Sequence, residues 1–159
     1  MLIKSLLLFN VMISAMRMDA QQTACVFCKI IDGRVKSQII YRDRTVIAFM
    51  DHAPNNPGHV LVVPLGHYQT ISDLPDSVAR DVFSIGRKIS LAIQKTNIPA
   101  EAFRFQLNSG KAAGQEVPHC HLHVIPRYMG EKLNTERKIW TDEELERVAV
   151  KIRNALEVN

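Results

Sequence analysis

One nine-residue stretch, Pro118-His119-Cys120-His121-Leu122-His123-Val124-Ile125-Pro126, restricts its own conformation more than any other part of the chain. Successive side chains of an extended strand leave on opposite faces, so His119, His121 and His123 share one face while Cys120, Leu122 and Val124 share the other. Half of the chain's six histidines therefore stand in register on one side of a strand. A lone histidine on a wet strand face commonly does nothing. Three in register, backed by aliphatic and β-branched residues, point to chemistry.

The rest of the chain supplies a frame for that strand. Val26 to Ile31 is a short apolar turn of helix or strand stopped by Asp32-Gly33, and Ile39 to Tyr41 with Val46 to Phe49 reads as a hairpin around Arg42-Asp43-Arg44-Thr45. Val60 to Val63 is a third strand, entered through Asn55-Asn56-Pro57-Gly58 and closed by Pro64. Between Ser77 and Lys95, Val78, Val82, Ile85, Ile89, Ala92 and Ile93 recur at helical spacing, with Asp73 or Asp76 as candidate cap. Phe103, Phe105 and Leu107 alternate with polar residues, which predicts a half-buried strand, and Leu145, Val148, Ile152 and Leu156 predict a last helix over 142–156. The class is α+β: a mostly antiparallel five-stranded sheet with one long helix and a C-terminal helix.

A chain of 159 residues, 47% hydrophobic and 23% charged, suits one soluble domain able to bury a core without disulfides. The net charge of +4 is mild, and no basic run interleaves with aromatics, so nucleic acid is not an expected partner. Residues 1–24 stand apart as an N-terminal extension, with the single domain placed at 25–159. Met1 to Met16 pairs one Lys with an apolar stretch, which is signal-like but too short for a comfortable membrane span, and no clear cleavage site follows. The favoured reading is a start site assigned too early, with the functional chain beginning at Met18. That predicts a cytoplasmic protein without stable membrane association. Export is the alternative, in which case Cys25 and Cys28 can be oxidised.

Two uses of the histidines compete. Ser109-Gly110-Lys111-Ala112-Ala113-Gly114-Gln115 places small residues just before the histidine strand, where main-chain N–H groups can approach a phosphate. Such a loop is often only a turn, but a neutral imidazole beside it is a good nucleophile toward phosphorus. Metal is the other use: histidines two apart on a strand can chelate zinc, and Cys25-x-x-Cys28 also has ligand spacing. Both can coexist if a terminal histidine of the triplet joins the cysteines.

The sequence HCHLHVI, with Gly114-Gln115 a few residues ahead, resembles the signature of the histidine triad (HIT) family, and CVFCKIIDG, VIAFMDHAPNNPGHVLVVPLGH and FRFQLNSGKAAGQEVPHCHLHVIPR are similar to its Hint-type bacterial branch. The resemblance runs from Cys25 to Arg127 and implies a HIT-like fold, a homodimer with joined sheets, and a purine nucleotide substrate. It implies that His121 attacks the α-phosphate to form a nucleotidyl-histidine, that His123 holds the phosphate, and that His59 and His119 support them. Asp51 then accepts hydrogen bonds from the ribose hydroxyls. Val26, Phe27, Ile30, Phe49 and Leu61 match base-pocket positions, although on the residues alone Phe27, Ile30, Phe49 and Leu61 read as plain core. Asn108, Gly114, Gln115 and Glu116 fall at the phosphate end. Zinc-containing bacterial relatives imply a structural zinc on Cys25, Cys28, His67 and His119, with no catalytic cofactor.

Glu116 departs from the pattern. Relatives that cleave phosphoramidates often carry Ser or Thr there, and a carboxylate either repels phosphate or, if protonated, donates to a departing amine. The expected activity is hydrolysis or transfer at the α-phosphate of nucleoside phosphoramidate-type conjugates. A dinucleoside polyphosphate hydrolase, a nucleotide-binding regulatory protein with incidental hydrolysis, and a zinc hydrolase using the triad as ligands are the alternatives.

Overall fold

The computed structural model describes residues 24–131, 137 and 139–157. Apart from Ala24, the expectations for the N-terminal extension fall outside the described residues. The elements are α1 (Val26–Ile31), β1 (Ile39–Arg42), β2 (Val46–Met50), β3 (Val60–Pro64), α2 (Asp76–Gln94), β4 (Ala102–Gln106), β5 (Leu122–Arg127) and α3 (Asp142–Glu157). They form one five-stranded sheet in the order β1-β2-β3-β5-β4, with every neighbouring pair antiparallel. Among the described residues no helix is long and apolar enough to cross a membrane.

The hairpin closes as an Asx turn: Asp43 Oδ1 accepts from the backbone N–H of Thr45 and Val46, each at 2.8 Å. Every residue of β2 and β3 is buried, because both faces of the sheet centre are covered. Ala48 opposite Val62 and Met50 opposite Val60 face one core, with Val82, Ile89 and Ile93 of α2 and Leu145, Ala149 and Ile152 of α3. The alternate residues, Ile47 opposite Val63 and Phe49 opposite Leu61, face a second core with Phe27 and Cys28 of α1. Leu122 and Val124 of β5 join the helix-side core. Gly86 is what lets α2 sit that close, since a Cβ there would lie 2.9 Å from Leu122 Cδ2.

Three local expectations change. Neither Asp73 nor Asp76 caps α2: Pro75 stands at the N-cap without a side-chain bond. The Asp73 carboxylate instead accepts from the Thr70 N–H and hydroxyl, each at 2.8 Å, closing its own short turn. The half-buried strand shifts to Ala102–Gln106, an edge on which Phe105 is exposed. The sheet ladder reaches only Leu122, so His123 alone of the three lies within a strand, and His119, in a bend, and His121 precede it.

Candidate active site

β5 sets His123 between Leu61 of β3 and Gln106 of β4, at the centre of the face away from the long helices. Behind it the Asn55 N–H donates to His59 Nδ1 at 3.1 Å, so His59 carries its proton on Nε2 and donates it to His123 Nδ1 at 2.9 Å. His123 is thereby held with its remaining proton on Nε2. His121 is fixed differently: its Nδ1–H donates to the His119 carbonyl at 2.7 Å, which leaves an unprotonated Nε2. The His121 and His123 rings lie 4.8 Å apart, and Phe27 meets His121 edge-on at 5.1 Å.

Burial keeps these imidazoles neutral. It pushes His59 down to about 3 and His123, further opposed by His59 and His121, also to about 3. Burial lowers His121 as well, opposed by the His119 carbonyl and the Asp51 charge. A neutral imidazole with its Nε2 lone pair available is the nucleophilic form.

His121 and His123 open on a cavity of about 860 Å³. Val26, Phe27, Ile30, Phe49 and Leu61 supply apolar lining, and Asp51, Asn108, Gly114 and Glu116 supply polar lining. His59 and His119 are fully buried behind it. Gln115 does not line the cavity. Its Oε1 accepts the Gly110 N–H at 2.6 Å and its Nε2 donates to the carbonyls of Gln69 and Val117 at 2.7 and 2.9 Å, bracing the loop from within. Gly114, at φ +83°, makes the left-handed turn of that loop, and its carbonyl accepts from Asn108 Nδ2 at 3.2 Å.

Sequence reasoning missed Arg137, Gln106 and Trp140, which also line the cavity. Arg137 Nη2 donates to both Asp51 oxygens at 2.9 Å and its Nη1 to Glu116 at 3.3 Å. A single arginine contacting residues 86 and 21 positions away carries no local pattern by which to find it.

A second constellation lies on the far side of His119. Its Nε2–H donates to the Pro64 carbonyl at 3.0 Å, which turns the Nδ1 lone pair toward Cys25 and Cys28 Sγ at 3.5 and 3.6 Å. His67 Nδ1 stands 3.3 Å from Cys28 Sγ, and the four ligand atoms lie within 4.8 Å of one another. Burial, reinforced by Cys25, pushes the Cys28 thiol up to about 12. The Cys25 and Cys28 sulfurs, facing the ring nitrogens of His67 and His119, form a donor set suited to a divalent cation such as zinc. A second possible ligand group, Asp51, His59 and His123, is already joined internally by the bond between its two imidazoles. The triplet is thus divided, His119 toward the cysteines and His121 with His123 toward the cavity.

The HIT domain matches residues 32–130, and the chain belongs to the histidine triad family. A zinc-bound histidine triad family protein from Mycobacterium smegmatis superposes with a TM-score of 0.78 at 33% identity, covering 86% of this chain and 96% of that one. A hypothetical histidine triad nucleotide-binding protein from Sulfolobus tokodaii gives a TM-score of 0.76 at 28% identity over 84% and 93% of the two chains. Adenylylsulfatase HINT3 of Arabidopsis thaliana is 37% identical over 132 residues, 82% of this chain and 63% of that protein.

Proposed function

We propose that the protein is a nucleotide hydrolase or transferase acting at the α-phosphate of purine nucleotide conjugates. The observation that carries this is the fixed tautomer of His121, whose Nδ1–H is held by the His119 carbonyl at 2.7 Å beside an open cavity. The Nε2 lone pair attacks phosphorus, a P–N bond forms, and the bond to the leaving group breaks with its electron pair. His123 Nε2–H then donates to a phosphate oxygen, and water releases the nucleoside monophosphate and frees His121. In this reading the base lies among Val26, Phe27, Ile30, Phe49 and Leu61 and the ribose on Asp51.

Zinc on Cys25, Cys28, His67 and His119 ties α1 to the approach of β5 and takes no part in the chemical step; the zinc-bound mycobacterial relative supports that assignment. The exposed Phe105 on the open edge strand β4 and the exposed Phe83 on α2 support a homodimer joined through that edge. Three cysteines free of disulfides suit a reducing cytoplasm, and residues 25–159 act as one domain.

Adenosine 5′-phosphoramidate tests the reading: AMP release that disappears in His121→Ala and survives chelation is the expected result. Release that survives His121→Ala would sink it. The adenylylsulfatase relative favours a second leaving group, sulfate, which departs without needing a proton, whereas an amine departs with one. Adenosine 5′-phosphosulfate run alongside separates the two classes.

A further inference from the structure

Asp51 receives the ribose in the reading above, and the present inference rests on that reading. The carboxylate already has an occupant. Arg137 Nη2 donates to Oδ1 and to Oδ2 at 2.9 Å each, and the Ala53 N–H donates to Oδ1 at 3.0 Å. Arg137 Nε donates to the Ala53 carbonyl at 2.8 Å and Nη1 to Glu116 at 3.3 Å, so the guanidinium is fixed through all three nitrogens.

A carboxylate offers about four lone-pair positions. Three are taken here, and the remaining side of Oδ2 faces His59 Nε2 at 3.5 Å and His123 Nδ1 at 4.0 Å. The Asp51 side chain is only 2% exposed with the guanidinium seated on it. Two neighbouring ribose hydroxyls need two acceptor positions and a path to them, and neither is left. There is a physical reason for an occupant. His59 and His123 each accept a hydrogen bond at Nδ1 and are therefore neutral, so an empty site would leave the buried carboxylate with no cationic neighbour but the exposed His52, 3.7 Å away. Arg137 supplies the counter-charge.

We propose that Arg137 and the ribose of the nucleotide are mutually exclusive occupants of Asp51, so that Arg137 sets the apparent affinity of the site for ribose-bearing ligands. When a nucleotide arrives, its hydroxyls replace Nη2 on the carboxylate and the guanidinium moves off. The fraction of molecules with Asp51 unoccupied scales the measured affinity. A contact populated about nine-tenths of the time raises the apparent Kd about tenfold.

The test is a calorimetric titration of the full chain with AMP and with 2′,3′-dideoxy-AMP, which can bind while Arg137 stays in place. The variants are Arg137→Ala, Arg137→Lys and Arg137→Met, the last keeping the aliphatic stem in case the Ala variant misfolds. Arg137→Ala and Arg137→Met are expected to bind AMP about tenfold more tightly, with dideoxy-AMP affinity unchanged. Arg137→Lys, a point charge without the planar fork, falls between them and the wild type. Weaker AMP binding in Arg137→Ala overturns the proposal, because the guanidinium would then be holding the nucleotide. Equal tightening of both ligands also overturns it, as plain steric blockage. Unchanged AMP binding that still exceeds dideoxy-AMP binding sinks the proposal and leaves the ribose reading standing. If the two ligands bind alike once Arg137 is removed, or neither binds any variant, the ribose reading itself has failed and the proposal falls with it.

Discussion

On the helix side of the sheet, Val62, Leu122 and Val124 meet Val82, Ile89 and Ile93 in an apolar core, whereas on the other side His123, between Leu122 and Val124 on the same strand, joins a chain of imidazoles beside the second core. Dispersion and area hold the first arrangement together, and neither has a direction. The second depends on where each proton sits: Asn55 decides the tautomer of His59, His59 that of His123, and the His119 carbonyl that of His121. The helix side therefore tolerates changes of shape at a cost in stability. The cavity side tolerates few changes of any kind without a cost in chemistry.

Breaking the directional side has the largest expected effect. His121→Ala should lower the turnover of adenosine 5′-phosphoramidate by about 10⁴-fold or more, as loss of a nucleophile does elsewhere, while the urea midpoint stays near that of wild type. Comparable loss of activity and stability would mean that the two sides are not separable.

Acid sharpens the contrast. Below about pH 6.5 the unfolded chain protonates His59 and His123, whereas the fold resists until about pH 3, so stability falls as pH drops through that window. The slope is up to about 1.4 kcal/mol per pH unit for each histidine. Denaturant melts at pH 7 and pH 5 should show it, and the double variant His59→Gln with His123→Gln should make it shallower, with His119 and His121 supplying what remains. A slope unaltered in that variant would place the acid sensitivity elsewhere.

On the apolar side, Ile89→Ala should cost about 3 kcal/mol of unfolding free energy and leave kcat per folded molecule unchanged. A change in kcat would couple the helix face to the chemistry. Cys28→Ser should lose stoichiometric metal, read by elemental analysis, and lower Tm while nucleotidyl-histidine formation persists; metal retained in full would remove Cys28 from the ligand set. The smallest effect belongs to Glu116→Gln, which is expected to change phosphosulfate and phosphoramidate turnover by only a few-fold, because its carboxylate is 78% exposed and screened by solvent. A loss of a hundredfold in the phosphoramidate assay alone would make Glu116 the proton donor.

The regular elements were legible because they repeat. Helical spacing found α2 and α3 to within a residue or two, and strand alternation correctly separated Leu122 and Val124 from His123. The cap of α2 was not legible, since Asp73 closes a turn of its own and a proline takes the cap position. Sequence placed Gln115 near the phosphate end, yet its side chain braces the loop from inside, a role that only the positions of Gln69 and Val117 reveal. Arg137 left no trace because its partners belong to the turn after β2 and the loop before β5, which are brought together only by the finished fold.

The strand order β1-β2-β3-β5-β4 also governs how the molecule is made. The ribosome releases β3 and β4 before β5, yet β5 must be inserted between them. A nascent chain ending before Leu122 exposes two facing, unpaired edges and lacks His123 altogether. Closing that gap removes an invitation to aggregate and seats His123 against His59 in a single event. Incomplete copies thereby lack both a paired sheet centre and the His59–His123 contact, and the same last strand supplies the two together.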